Sequence, residues 1–319
     1  MPDNSHLLIA LASSHAPGCQ QVLDTLRLPH LERLLARLQP VLAADTDTDT
    51  GSETDFSPPH ERALARHLGL PAGPQGRTPW AAWQSGAAPG TACAWVTPSQ
   101  WLIGADQVRM ADPQQLQLDE ADSRALLDIL APWFAQDGIE LHYHAPMRWL
   151  ARGAVLEGLA CASLDRVIGR DVRAWLPDIT SARALHRLHS EMQMLLYTHP
   201  FNDARASRGL PAINAFWLHG AGALDAASTA TRAELPEQPS ALRDAALHED
   251  WPAWAAAWQD IDAGPVARLA AQAAAGAPVR LTLCGERSFL QWQAARRGFF
   301  TRINSLFGQK PLSSLREQL

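Results

Sequence analysis

The side chains best suited to chemistry are concentrated in one stretch, MQMLLYTHPFNDARASRGLPAINAFWLHGAG (192–222). Within it stand His199, Asn202, Asp203, Arg205, Arg208, Asn214, Trp217 and His219, closed by Gly220 and Gly222. Arginine offers forked, charge-assisted hydrogen bonds, asparagine orients hydroxyls, and a glycine turn lets backbone N–H groups approach an oxyanion. Such a set suits a phosphorylated or carboxylated ligand. The same residues have a purely structural use: Asn202 and Asn214 can cap or bridge loops while the arginines face water. Composition alone weighs the two uses evenly.

Two histidine pairs are the other candidates. His142 and His144 share one face of the alternating segment IELHYHAP (139–146). His186 and His189 share a helical face with Gln193. Were a metal bound, these four would be the first ligands to test, although a solvated edge strand explains the first pair more simply. A calcium loop in the acidic stretch 44–59 fails on spacing, because counting from Asp45 the glycine falls seventh and Asp55 eleventh.

Elements that must position these groups follow from periodicity. The spacing predicts a buried strand at 7–14, a helix over 28–43, short helices at 60–69 and 78–84, and two strands around a Thr-Pro turn in 91–110. It also predicts helices over 118–138, 179–200 and 250–276, the last with a core stripe of Trp251, Trp254 and Trp258. Strands are expected at 139–146, 213–222 and 279–288. Strands alternating with helices make the class α/β. A basic-aromatic run (Arg296, Arg297, Phe299, Phe300, Arg302) closes the chain.

The 319 residues carry 27 Lys+Arg against 33 Asp+Glu, a net charge of −6, which disfavours non-specific nucleic-acid binding. Lys310 is the sole lysine, so arginine supplies almost all the positive charge. No apolar run approaches ~18 residues, which argues against a membrane span. The four scattered cysteines argue against a zinc ribbon or a disulfide scaffold. The opening LLIALA is too short for a signal-peptide core and lacks a basic flank, so a cytoplasmic location is expected.

The pattern His199, Pro200, Asn202, Arg205, Gly209, Asn214, Trp217, Gly220 and Gly222, preceded by GRDVRAWLPD (169–178), resembles archaeal-type cofactor-independent phosphoglycerate mutases. M-Q-M-L-L, N-A-F-W-L-H-G-x-G, D-W-x-A-W and L-C-G-E resemble a proteobacterial offshoot, the phosphoglycerate-mutase-like or RpfE-type regulatory proteins. The resemblance spans about 140–290 and is specific in 169–222. It implies a reduced alkaline-phosphatase-like core from 1–85 and 200–319, with a second, α+β middle domain of substrate type at 86–199. Mutases of this family use Mn, Mg or Zn ions and a transiently phosphorylated serine. Here the first strand ends without a ligand aspartate, and Cys284-Gly285-Glu286-Arg287-Ser288 replaces the Asp-His pair. The resemblance therefore implies a metal-free pseudoenzyme with no cofactor and no assigned catalytic residue, binding a small anionic metabolite in a regulatory role. Ser13 and Ser14 remain at the nucleophile end, with no base visible in the sequence. The alternatives are an active mutase or phosphohydrolase with a rebuilt metal site, and a structural or partner-binding protein whose partner is unknown.

Overall fold

The computed structural model describes residues 5–41, 51–225 and 234–294, in a mixed α/β architecture. Two compact units divide the chain: Met1–Glu53, Pro59–Leu68 and Arg232–Leu319 form one, and Thr54–Pro58 and Gly69–Thr231 the other. The expected boundary between 199 and 200 thus gives way to one beyond 222. The reason is strand pairing, since the strand at 215–222 is hydrogen-bonded into the second unit's sheet. The closing basic-aromatic run and residues 44–50 of the acidic stretch lie outside the described residues.

The first unit is built on β1 (Ser5–Ile9), β2 (Leu38–Pro40), β9 (Val279–Cys284) and β10 (Phe289–Ala294), in the order β1-β9-β10-β2. β1 runs parallel to β9; β10 is antiparallel to both β9 and β2. Parallel strands are covered on both faces, which explains the unbroken Leu7-Leu8-Ile9 run. Leu7 and Ile9 pack with Leu31, Trp254 and Trp258, while Leu8 packs with Ala63 and Cys284 on the opposite face. The Trp251, Trp254, Trp258 stripe is core, its rings meeting edge-on with centroids 6.3 and 6.2 Å apart. The expected helix 28–43 is confined to Pro29–Leu35, because β10 captures Leu38–Pro40 as a strand. Buried Asp262 caps that helix from afar, accepting hydrogen bonds from the backbone N–H groups of His30 (3.2 Å) and Leu31 (2.8 Å).

The second unit's main sheet is β3 (Cys93–Ser99), β6 (Glu140–Ala145), β7 (Arg148–Arg152) and β8 (Ala215–Gly222), all antiparallel, in the order β6-β7-β3-β8. A hairpin of β4 (Trp101–Ile103) and β5 (Val108–Met110) follows β3. One sheet face, with Ala94, Val96, Trp149, Ala151, Phe216 and Leu218, is covered by the helices Glu120–Gln136 and Arg183–Tyr197. These bury the stripes Leu126/Leu130/Phe134 and Leu185/Leu188/Met192/Leu196. β3 runs straight through Thr97-Pro98, where a turn was expected. Its pairing with β7 ends at Val96, so the proline, which has no N–H to donate, meets only β8.

Candidate functional site

The fold uses most polar groups of the 199–222 motif to tie its own backbone together. His199 precedes the helix Pro200–Ser207 and accepts the Phe201 N–H at Nδ1 (3.1 Å). Asn202 donates to the carbonyls of Leu196 and Ile213 (both 2.8 Å) and accepts the Ile213 N–H (2.9 Å). Asn214 imitates a strand partner toward Trp101, accepting its N–H at 2.7 Å and donating to its C=O at 2.9 Å. Arg205 is 0 % exposed. It donates to Pro211 O (2.9 Å), to Leu116 O and to Asp122 Oδ2 (3.2 Å), and Arg208 joins the same carboxylate. Burial lowers the Arg205 pKa from its ordinary value, and Asp122 opposes that shift. Trp217 donates its indole N–H to Ala162 O at 2.8 Å.

The glycines serve packing. Gly220 has φ +63°, and a Cβ there would lie 2.9 Å from Trp80 Cβ; at Gly222 it would lie 3.1 Å from Pro79 Cβ. His219 stands apart from the rest of the motif. It is partly exposed on the other sheet face, with Nε2 3.3 Å from Thr97 Oγ1. Burial, then the charge of Arg148, lowers its pKa to about 4, against a smaller upward pull from Asp165.

The four other histidines serve separate surroundings. His142 faces Glu140 (3.5 Å) on the exposed side of β6, and His144 meets the Trp95 ring edge-on at 4.9 Å. His186 Nε2 lies 2.7 Å from Pro177 O. His189 is enclosed by Trp101, Phe216 and Trp217, and burial, followed by the charge of His186, takes its pKa to about 3.

A second set of reactive groups assembles in the first unit, where the parallel strands β1 and β9 end. Crevices at the carboxyl ends of parallel strands are the usual ligand location in α/β sheets. The chain leaves β1 through Leu11, whose φ of +50° is costly for a bulky side chain and is held by Trp254 Nε1 donating to its carbonyl (3.0 Å). Ala12 N–H then donates to Cys284 O (2.7 Å). The turn delivers buried Ser13 and Ser14 opposite Glu286. Ser14 Oγ donates to Glu286 Oε1 at 2.9 Å, and the His15 N–H donates to Oε2 at 3.0 Å, with His15 Nδ1 3.3 Å from the same oxygen. Arg287 donates through Nε to Glu53 Oε1 at 2.8 Å and again through Nη2. Its carbonyl accepts from buried Arg62 (2.7 Å).

This arrangement bears on metal chemistry. Among the described residues, His15, Glu53 and Glu286 are the one group of three side chains able to hold an ion, with donor atoms within 4.8 Å of one another. Three donors suffice for a single ion. A two-metal centre needs ligands around two ions some 3.5–4 Å apart. Here Glu53 carries a guanidinium, and Glu286 already accepts from Ser14 and His15. The donor set does not fit two ions. Sequence reading missed Glu286 and Glu53 as partners of this turn, because Ser14 and Glu286 lie 272 residues apart.

No protein-family model and no curated protein matches the chain. Among solved structures, a cofactor-independent phosphoglycerate mutase from Thermoplasma acidophilum aligns over 98% of this chain and 100% of its own, at 15% identity and TM-score 0.36. A Pyrococcus horikoshii protein aligns over 92% of this chain and 88% of its own, at 14% identity and TM-score 0.45.

Proposed function

We propose that this chain is a non-catalytic relative of the phosphoglycerate-mutase-like proteins that binds a small phosphorylated or carboxylated metabolite in a regulatory role. The reading rests on the donor set where β1 and β9 end. Phosphoryl transfer between two metal ions requires both attacking and leaving oxygens to be clamped by cations. The three possible donors there are shared with Arg287, Ser14 and the His15 backbone. A guanidinium fixed among the carboxylates raises the cost of bringing in a second cation. The motif resemblance in 169–222 and the near-exclusive use of arginine support an anionic ligand.

The test combines three measurements on purified protein: metal content, phosphoglycerate interconversion with added Mn²⁺, and calorimetric titration with phosphoglycerate. The expected result is binding without stoichiometric metal and without turnover. Turnover, or two tightly held ions per chain, would overturn the reading.

The Ser14–Glu286 hydrogen bond favours a second reading, a phosphohydrolase with a rebuilt site in which Glu286 accepts the serine proton. Phosphatase activity lost in both Ser14→Ala and Glu286→Gln would establish it.

A further inference from the structure

The second unit's sheet has one face that the helices Glu120–Gln136 and Arg183–Tyr197 leave free. That face is covered only in part. Ala81 and Ala82, from the short helix Trp80–Ser85, pack on Cys93, Trp95 and Leu150. Farther along, Ala162, Val167, Val172 and Trp175 pack with Ala215 and Trp217. Between these two covers, exposed His144 and partly exposed Arg148 and His219 surround the buried Trp95. The four residues come from the four different strands β6, β7, β8 and β3.

Strand alternation brings these side chains to one face, and two register breaks lie beside them. On β6, Tyr143 pairs with Trp149 and Ala145 with Arg148, so His144 is the extra residue of a bulge. On β8, Trp95 pairs with His219 and Cys93 with Gly222, so three steps of β8 oppose two of β3, with Gly220 at φ +63° in the bend. Bulges re-aim side chains and are common beside binding sites. Both of these flank Trp95, one from each side.

Arg148 is the centre of the group. Its guanidinium lies 4.6 Å from the Trp95 ring centroid, and the ring is anchored by its N–H donating to Gln84 Oε1 (2.6 Å). Among the described residues no carboxylate or carbonyl engages this guanidinium. The contrast with Arg205 is direct, since every part of that fork is taken within the fold. A half-buried guanidinium backed by an indole has its charge concentrated and its geometry fixed, which suits forked binding of an oxyanion. Buried Thr97 and the two imidazoles add hydrogen-bonding groups beside it.

We infer that this face holds a small oxyanion, a phosphate or carboxylate group, on Arg148 with His144 and His219 beside it. The inference rests on the anionic-ligand reading above and relocates that ligand away from the polar groups of the 199–222 motif, His219 excepted.

The test is NMR titration of the full chain, following the histidine ring resonances, with inorganic phosphate in one arm and malonate in the other. The two arms tell a phosphate site from a carboxylate site. Expected are saturable shifts of His144 and His219 with at least one probe, a loss of affinity of at least tenfold in Arg148→Ala, and a smaller loss in Arg148→Lys, which keeps the charge over Trp95. An unchanged thermal transition in Arg148→Lys guards against misfolding. If the anion binds, Arg148→Ala and Arg148→Lys leave its affinity unchanged, and Arg208→Ala or His15→Gln weakens it, the inference fails while the anionic-ligand reading stands. If neither probe nor phosphoglycerate binds at millimolar concentration, both fail.

Discussion

Replacing Arg205 by alanine separates a ligand-gripping motif from a fold-holding one. The side chain is fully buried and donates to two backbone carbonyls and to Asp122. All three bonds are donated by a guanidinium and are charge-assisted, worth about 1.5–3 kcal/mol each, and the cost of burying the charge offsets a large part of their sum. Asp122 keeps Arg208 as a partner, so the carboxylate is not stranded and the cost stays at the lower end of that for breaking a buried pair, roughly 3–4 kcal/mol. For a unit of this size, at about 2–4 °C per kcal/mol, the transition should fall by roughly 6–16 °C. The assay is thermal and urea unfolding followed by near-ultraviolet circular dichroism, with phosphate titration of the folded variant at low temperature. Arg205→Met, which restores volume without donors, should recover less than half of the loss. A destabilisation under about 1 kcal/mol together with abolished anion binding would refute the reasoning and return the motif to the ligand.

Three further outcomes are expected. Asn214→Ala removes two hydrogen bonds and leaves both backbone groups of Trp101 unmatched, so urea unfolding should register a loss of about 2 kcal/mol. Gly220→Ala forces a Cβ to 2.9 Å from Trp80 Cβ at a positive φ and should cost more than Gly209→Ala, where φ is +71° but the space is open; paired unfolding curves would show the difference. His189 has a folded pKa of about 3, below its unfolded value of about 6.5, so the unfolded state binds the extra proton between those values. The corresponding stability is complete above pH 6.5 and is lost as pH falls toward 3. At pH 5 about 2 kcal/mol should be missing, and His189→Phe should remove about one proton from the pH dependence of urea unfolding.

Much of the fold is legible in local pattern. The helix Glu120–Gln136 has a three-to-four residue stripe and an aspartate, Asp119, that caps it by accepting from the Asp122 N–H. β6 alternates, and the tryptophans of 250–276 recur on one face. Where local pattern fails, a distant segment decides. Leu38–Pro40 continues a helical stripe in sequence but becomes a strand because Trp292–Ala294 offers hydrogen bonds. The candidate sites are less legible for the same reason. An arginine beside two asparagines reads alike whether its fork meets a phosphate or the carbonyls of Leu116 and Pro211. Glu286 meets Ser14 only through β1–β9 pairing, and the bulges beside His144 and His219 leave no mark in composition.

On the function proposed above, the ends of β1 and β9 do not support two-metal phosphoryl transfer. The most direct test is ³¹P NMR of the protein with 3-phosphoglycerate over hours, first without added metal and then with Mg²⁺ in large excess over two ions per chain. The 3-phosphoglycerate spectrum should stay unchanged in both conditions, with no phosphoserine signal. Appearance of 2-phosphoglycerate, or of a phosphoserine lost in Ser14→Ala, would contradict it.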